Sequence, residues 1–201
     1  MRRRDDASQT GSRRDGEIRR VQRPLDDLPV VHLEASVPMV PAERWTLTLD
    51  GHVERPQVLA LAEVIVLESF AANWNFHCVW GWSRPLCRWS GVSGQAVAAA
   101  AGISSPYVVV SAFGGTYASA LTTDEFVRGL FATHLDDRPL TPEHGAPLRY
   151  VPPPGKWQYK GVKWVARVTA TTEFTPGFWE TAVGDPRGDI PPDREDLRHE
   201  I

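Results

Sequence analysis

Polar and apolar positions divide this chain into a charged lead, a patterned middle and a polar, proline-bearing end. Trp45-Thr46-Leu47-Thr48-Leu49 alternates and then meets Asp50-Gly51, which predicts a half-buried strand running into a turn. Gln57 to Leu61 predicts a second strand, and Leu61 to Leu67, with apolar residues at helical spacing, a short helix. Phe70 to Cys78 reads as a buried strand with Cys78 near its end. Val92 to Ala101 is small and apolar, a helix for which Gly102 is a suitable C-cap. Tyr107 to Ala112 is a strong β run, Gly114-Gly115 a turn, and Tyr117 to Leu121 the return strand. Thr122-Thr123-Asp124-Glu125, followed by Phe126, Val127 and Leu130, reads as a capped short helix. Pro142 and Gly145-Ala146-Pro147 punctuate a loop before a short strand at Leu148 to Val151. Val162 to Thr172 is the last strand, with Val162, Trp164, Ala166 and Val168 on one face. Strands and short helices interleave without a regular strand–helix–strand beat. That predicts an α+β fold with mixed, mostly antiparallel sheets.

With 201 residues, 42% of them hydrophobic, the chain has material for one domain with a sizeable core. Residues 1–23 carry eight arginines against four acids and lack apolar periodicity, so they read as a disordered arm. Residues 24–183 form the expected domain, and residues 184–201 an acidic, proline-containing tail. A net charge of -3 argues against nucleic-acid binding by the whole molecule; an arm that binds nucleic acid or anionic lipid is the alternative to a solvated one. No stretch approaches the roughly 20 apolar residues of a membrane helix. The arginines after Met1 lead into polar sequence rather than an apolar export segment. A cytoplasmic protein is the expectation. Two cysteines are no disulfide framework at this size, and neither GxGxxG nor GxxxxGK[ST] is present.

Cys78 is the first candidate for chemistry. It lies in Asn75-Phe76-His77-Cys78-Val79-Trp80-Gly81-Trp82-Ser83, and its thiol suits a soft metal, a nucleophile or an inert core position. Zinc spacing is absent, and adjacent His77 and Cys78 point to opposite faces of a strand. A disulfide to Cys87, nine residues on, is geometrically conceivable. The second candidate is basic. All three lysines of the chain fall in Lys156-Trp157-Gln158-Tyr159-Lys160-Gly161-Val162-Lys163, with Arg149 upstream and Pro152-Pro153-Pro154-Gly155 between. Such a cluster suits a phosphate or another anion, or forms a solvated basic loop. Tyr117 is the third, either an edge packing residue or a site residue if its hairpin faces Cys78. Trp74, Trp80, Trp82 and Trp89 surround Cys78 in sequence and are either pocket walls or core.

Taken in order, several segments resemble the molybdopterin-binding domain of the sulfite oxidase family, in its short oxidoreductase form. They are Leu49-Asp50-Gly51 with Val53-Glu54-Arg55-Pro56, Phe76-His77-Cys78, Gly81-Trp82-Ser83, Arg88-Trp89-Ser90-Gly91-Val92 and Gly115-Thr116-Tyr117. Pro142-Glu143-His144-Gly145-Ala146-Pro147-Leu148-Arg149, Tyr159 to Trp164, and Pro176-Gly177-Phe178-Trp179-Glu180 follow. The resemblance runs from about Leu28 to about Pro191. It implies that Cys78 ligates molybdenum and that His144 and Arg149 hold the pterin and its phosphate. It also implies that Gly161, Val162 and Lys163 grip the cofactor, that Ser111 falls near another cofactor contact, and that Tyr117 stands beside the metal. The segment around His32 corresponds to the family's N-terminal cofactor contacts.

The chain departs from that pattern where substrate would enter. Trp80-Gly81-Trp82 replaces arginines that sulfite oxidases carry after the cysteine, leaving Arg84 as the nearest. Leu86-Cys87 stands where relatives often have Asp-Asn, and Pro152-Pro153-Pro154 is one residue longer. No segment of these 201 residues is expected to form the haem or dimerisation domain that sulfite oxidases carry. The expected function is a molybdenum-cofactor oxidoreductase transferring an oxygen atom to or from a small S-oxide, N-oxide or sulfur oxyanion. A separate electron-transfer partner would serve it. A non-catalytic or degenerate molybdopterin-binding protein is the alternative.

Overall fold

A computed structural model of the chain describes residues 22–191. The arginine-rich arm lies outside the described residues except for Gln22 and Arg23, as do residues 192–201 of the expected tail.

The chain opens with a two-residue strand, β1 (Arg23–Pro24), then crosses to β2 (Thr46–Gly51) and β3 (Gln57–Ala60). A short helix α1 (Leu61–Ile65) leads to the long pair β4 (Ser69–Cys78) and β5 (Trp82–Ser93). Helix α2 (Gly94–Ala101) precedes the hairpin β6 (Tyr107–Ala112) and β7 (Ala118–Thr122), and α3 (Thr123–Val127) precedes β8 (Leu130–Leu135). β9 (Arg138–Pro139), β10 (Arg149–Val151), β11 (Val165–Thr171) and α4 (Phe178–Val183) complete it. The fold is α+β, built on two sheets. One runs β3-β2-β11-β6-β7, and its central β11 pairs in parallel with β2. The other has β5 as its spine, flanked by β4, by β8 and, near Cys78, by β1 in parallel.

Two signals act as the sequence leads one to expect. Thr122 and Glu125 form a reciprocal capping box at α3, and Gly102 ends α2 in the left-handed conformation. Other expectations are corrected. β4 is buried only near its Cys78 end; its first half lies exposed, with Phe70 41% accessible. The strand before α2 runs through Ser93, whose hydroxyl caps the helix by accepting from Ala96 N at 3.0 Å. β11 starts at Val165 rather than Val162, because Trp164 sits at φ 54 and a bulge shifts the register between Val165 and Arg167. Val165, Val168 and Ala170 are the buried positions that result. Leu130 opens β8 instead of ending a helix.

The largest core cluster lies under both sheets and gathers Leu47, Leu49, Val97, Val108, Phe126, Phe131, Tyr150 and Val168. A second cluster, Phe76, Cys87, Trp89, Leu130, Ala132, Leu140 and Val151, packs beneath the β4–β5 ribbon. Burying side chains of this size stabilises by roughly 1.5–3 kcal/mol each, so the ribbon that presents Cys78 rests on a firm base. Pro85 cannot donate to the β4 ladder, and at this point the register slips between Trp74 and Phe76. The N–H of Leu86, freed there, donates to Asn75 Oδ1 at 2.9 Å.

Candidate functional site

Cys78 ends β4 at the start of a tight turn in which Gly81 N donates to Cys78 O at 3.0 Å. Gln22 reinforces the same carbonyl through Nε2 at 3.2 Å, while its Oε1 accepts from Ser83 Oγ at 2.9 Å. His77, turned to the other side of the strand as alternation requires, contacts Ser83 Oγ through Nδ1 at 2.6 Å. Cys78 lines a cleft. Both cysteines are free thiols, and Cys87 is fully buried in the core opposite Trp74.

The cleft draws on distant parts of the chain. Tyr117 comes from the loop before β7, Arg149 from β10, and Gly161 and Lys163 from the loop before β11. Leu28 to Glu34 overlie it, and Trp80, Trp82, Trp164 and Trp179 wall it. Arg149 is 4% exposed, its guanidinium lying over the rings of Phe76 (5.0 Å) and Trp89 (5.4 Å). Its Nη1 donates to His144 O at 3.0 Å, while its Nε is buried without a hydrogen-bond partner. Burial pulls its pKa down to about 10. Burial, and then the charge of Arg149, bring the ammonium of Lys163 down to about 7. Lys163 Nζ donates to Glu143 O at 2.6 Å. Burial pushes the Cys78 thiol up, so on its own it stays protonated at neutral pH. Tyr117 is likewise held as a neutral phenol, chiefly by burial, and donates to Tyr159 O.

The remaining sequence candidates sit elsewhere or act indirectly. His144 does not line the cleft. Its Nε2 donates to the carbonyl of Leu28 at 3.0 Å, and its Nδ1 lies 3.0 Å from Thr141 Oγ1. That bond ties the overlying segment to the loop that carries Arg149. Val162 is fully buried in the main core, bridged to Tyr150. Ser111 lines a separate cleft with Arg44, Thr48 and Arg167, away from Cys78. The basic cluster also divides. Lys156 pairs with Glu125 and Asp189, both at 2.6 Å, and Lys160 pairs with Glu180 while donating to Ala120 O and Pro186 O. Two of the three lysines therefore neutralise buried carboxylates, and only Lys163 faces the cleft. Glu125, Trp179 and Glu180 belong to segments that the sequence analysis names, but without a role in or under the site. The charge of each acid at a helix start was visible, but its burial was not. Residues 184–191 also return to the fold, where Ile190 is buried beside Trp157 and Tyr159.

Among the described residues no group of three or more His, Cys, Asp or Glu is placed to hold a metal ion. A metal held by Cys78 together with a chelating cofactor would need no such group. Arg149, with its unpartnered Nε, and Lys163 are what a phosphate-bearing chelator would satisfy. Gly161, also on the lining, is held close to the fold; a Cβ there would lie 2.6 Å from Gln158 Nε2 and 3.0 Å from Tyr150 O. These residues fit a pterin-bound metal.

The model of the oxidoreductase molybdopterin binding domain matches residues 34–179. The chain belongs to this family. It is 36% identical over 150 residues to uncharacterized oxidoreductase YuiH of Bacillus subtilis (strain 168), covering 73% of this chain and 75% of that one. It is 28% identical to the protein-methionine-sulfoxide reductase catalytic subunit MsrP of Xanthomonas axonopodis pv. citri (strain 306), covering 67% of this chain. The chain spans about half (47%) of that relative's length. The sulfane dehydrogenase SoxCD from Paracoccus pantotrophus superposes with a TM-score of 0.63 at 17% identity, over 70% of this chain and 41% of that one. The fold is thus the sulfite-oxidase-like one, and the cofactor is molybdenum–molybdopterin. Among the described residues no helix is long and apolar enough to cross a membrane.

Proposed function

We propose that this oxidoreductase removes the oxygen atom from a small, neutral S-oxide, using electrons delivered by a separate electron-transfer partner. One observation carries the reading: the cleft at Cys78 is walled by tryptophans, and Arg84, the arginine nearest in sequence, binds Asp136 and Asp26 O instead of lining it. A sulfur oxyanion has no cation of its own at such a wall. The naming of MsrP as a methionine-sulfoxide reductase supports the same direction. The reaction breaks the S=O bond; two electrons reduce the sulfur, and the oxygen leaves as water with two protons. Molybdenum–molybdopterin supplies the two-electron oxygen-atom-transfer chemistry when bound.

The protein's part is to bind, orient and keep dry. Cys78 offers a thiolate, which a metal ligand must be, so cofactor binding releases its proton. Arg149 and Lys163 would hold the phosphate, with Gly161 beside them on the cleft lining. His144 positions Arg149 through its own carbonyl and fastens the segment at Leu28 over the cleft. Tyr117 lines the cleft as a fixed neutral hydroxyl rather than a base, since its proton is engaged by Tyr159 O. Protein from a molybdopterin-competent host should contain stoichiometric molybdenum and, with reduced viologen as donor, convert sulfoxides to sulfides. Sulfite consumption without sulfoxide turnover would refute the reading.

A further inference from the structure

Trp80, 50% exposed, meets the ring of Trp179 edge-on at 5.5 Å, and Trp179 meets Phe178, 53% exposed, at 5.2 Å. Trp80 and Trp179 line the Cys78 cleft, so this aromatic run leads from the cleft out to solvent. Exposed aromatics in a connected row are uncommon, and here they sit on rigid backing. Glu180, next to Trp179, is 1% exposed and accepts from Ser119 Oγ at 2.9 Å, Ala120 N at 3.0 Å and Gly177 N at 2.5 Å, besides pairing with buried Lys160. Gly177 lets α4 sit against β7; a Cβ there would fall 1.9 Å from Ala118 O. On the other side, the turn that carries Trp80 is fixed by the two hydrogen bonds on Cys78 O. The backbone that carries both rings is thus held in place before any ligand arrives, which lowers the ordering cost of binding.

We infer that the Trp80–Trp179–Phe178 run is the specificity surface of the site, receiving the flat apolar arm of an aryl or similarly planar sulfoxide while its S=O points to the metal side. This rests on the sulfoxide-reduction reading and names the class of substrate it takes. The run carries no charge and is continuous with the cleft, and aromatic side chains favour contact with the ring of a planar ligand. An aliphatic sulfoxide such as dimethyl sulfoxide has no arm to place there.

The experiment compares methyl p-tolyl sulfoxide with dimethyl sulfoxide on molybdenum-loaded enzyme and reduced viologen. Wild type should show a KM for the aryl substrate roughly tenfold lower. Trp80→Ala and Trp179→Ala should shrink that ratio towards one through KM, with kcat for the aryl substrate little changed, because the rings hold the arm and not the reacting atom. Trp80→Phe should restore most of the ratio, and Val66→Ala, an exposed apolar change outside the cleft, should leave it as in wild type. Molybdenum content and circular dichroism of each variant check that site and fold are retained. Turnover of both sulfoxides with an unaltered ratio in Trp80→Ala and Trp179→Ala overturns the inference and leaves sulfoxide reduction standing. Turnover of neither by the loaded wild type overturns both.

Discussion

Arg149→Met should stabilise the cofactor-free protein while weakening its hold on the cofactor. A guanidinium has five N–H donors, yet Arg149 makes a single hydrogen bond, to His144 O, and among the described residues no carboxylate pairs with it. Its pKa of about 10, against an ordinary 12.5, corresponds to about 3 kcal/mol of uncompensated burial at about 1.36 kcal/mol per pH unit. Because the folded value is the lower one, this penalty is present at every pH below about 10 and fades only towards 12.5. Methionine keeps much of the packing but forfeits the ring contacts to Phe76 and Trp89, about 1–2 kcal/mol together. The net expectation is a gain of about 1–2 kcal/mol. Urea unfolding followed by tryptophan fluorescence should show it as a midpoint raised by ~0.5–1 M. In the loaded protein each lost charge-assisted bond costs about 1.5–3 kcal/mol, so cofactor retention on a desalting column should fall by at least tenfold. A variant that unfolds at lower urea than the parent without cofactor would show that Arg149 is a tie of the fold, and the argument would fail.

Cys78→Ser should fold normally yet lose its molybdenum, since a half-buried hydroxyl replaces the thiolate without altering the turn; metal analysis decides it, and full metal content would remove Cys78 as ligand. Lys163, pulled down to about 7 from 10.5, binds fewer protons in the folded than in the unfolded chain between those values. Stability of the cofactor-free protein should therefore rise from pH 7 towards pH 10, and Lys163→Met should flatten that rise in thermal melts. Breaking the buried Lys160–Glu180 pair by Lys160→Met or Glu180→Gln should cost about 3–5 kcal/mol and lower the melting temperature by roughly 10 °C. The double variant should lose clearly less than the two single losses combined; additive losses would mean the charges do not depend on each other.

Local chemistry was legible and long-range pairing was not. The alternation of Trp45 to Leu49, the β run at Tyr107, the Thr122 capping box and the Gly102 terminator all declare themselves within a few residues. β5 escaped notice because Pro85, Gly91 and scattered polar residues break its alternation; it is a strand because β1, β4 and β8 all pair with it. Ordered resemblance to a family, rather than any one motif, pointed to Cys78, Arg149, Gly161, Lys163 and Tyr117, which the fold does bring to one cleft. Ser111 and Val162 followed from the same alignment, but strand alternation turns Ser111 towards the second cleft and tertiary packing buries Val162. Clustering of Lys156, Lys160 and Lys163 suggested one anion site, whereas buried Glu125 and Glu180, remote in sequence, claim two of the three.

The parallel pairing of β11 with β2 also sets a timetable. β2 cannot acquire its central neighbour until residues 165–171 have been synthesised, and the cleft takes Cys78 from the early half of the chain but Arg149 and Lys163 from the late half. At translation rates of 5–20 residues per second, roughly 5–20 s separate the appearance of the thiol from the completion of its surroundings. During that interval the cysteine is an ordinary reactive side chain on an unfinished sheet. Cofactor insertion thus belongs at the end of biosynthesis, and a nascent chain stopped short of β11 would carry the ligand without the site.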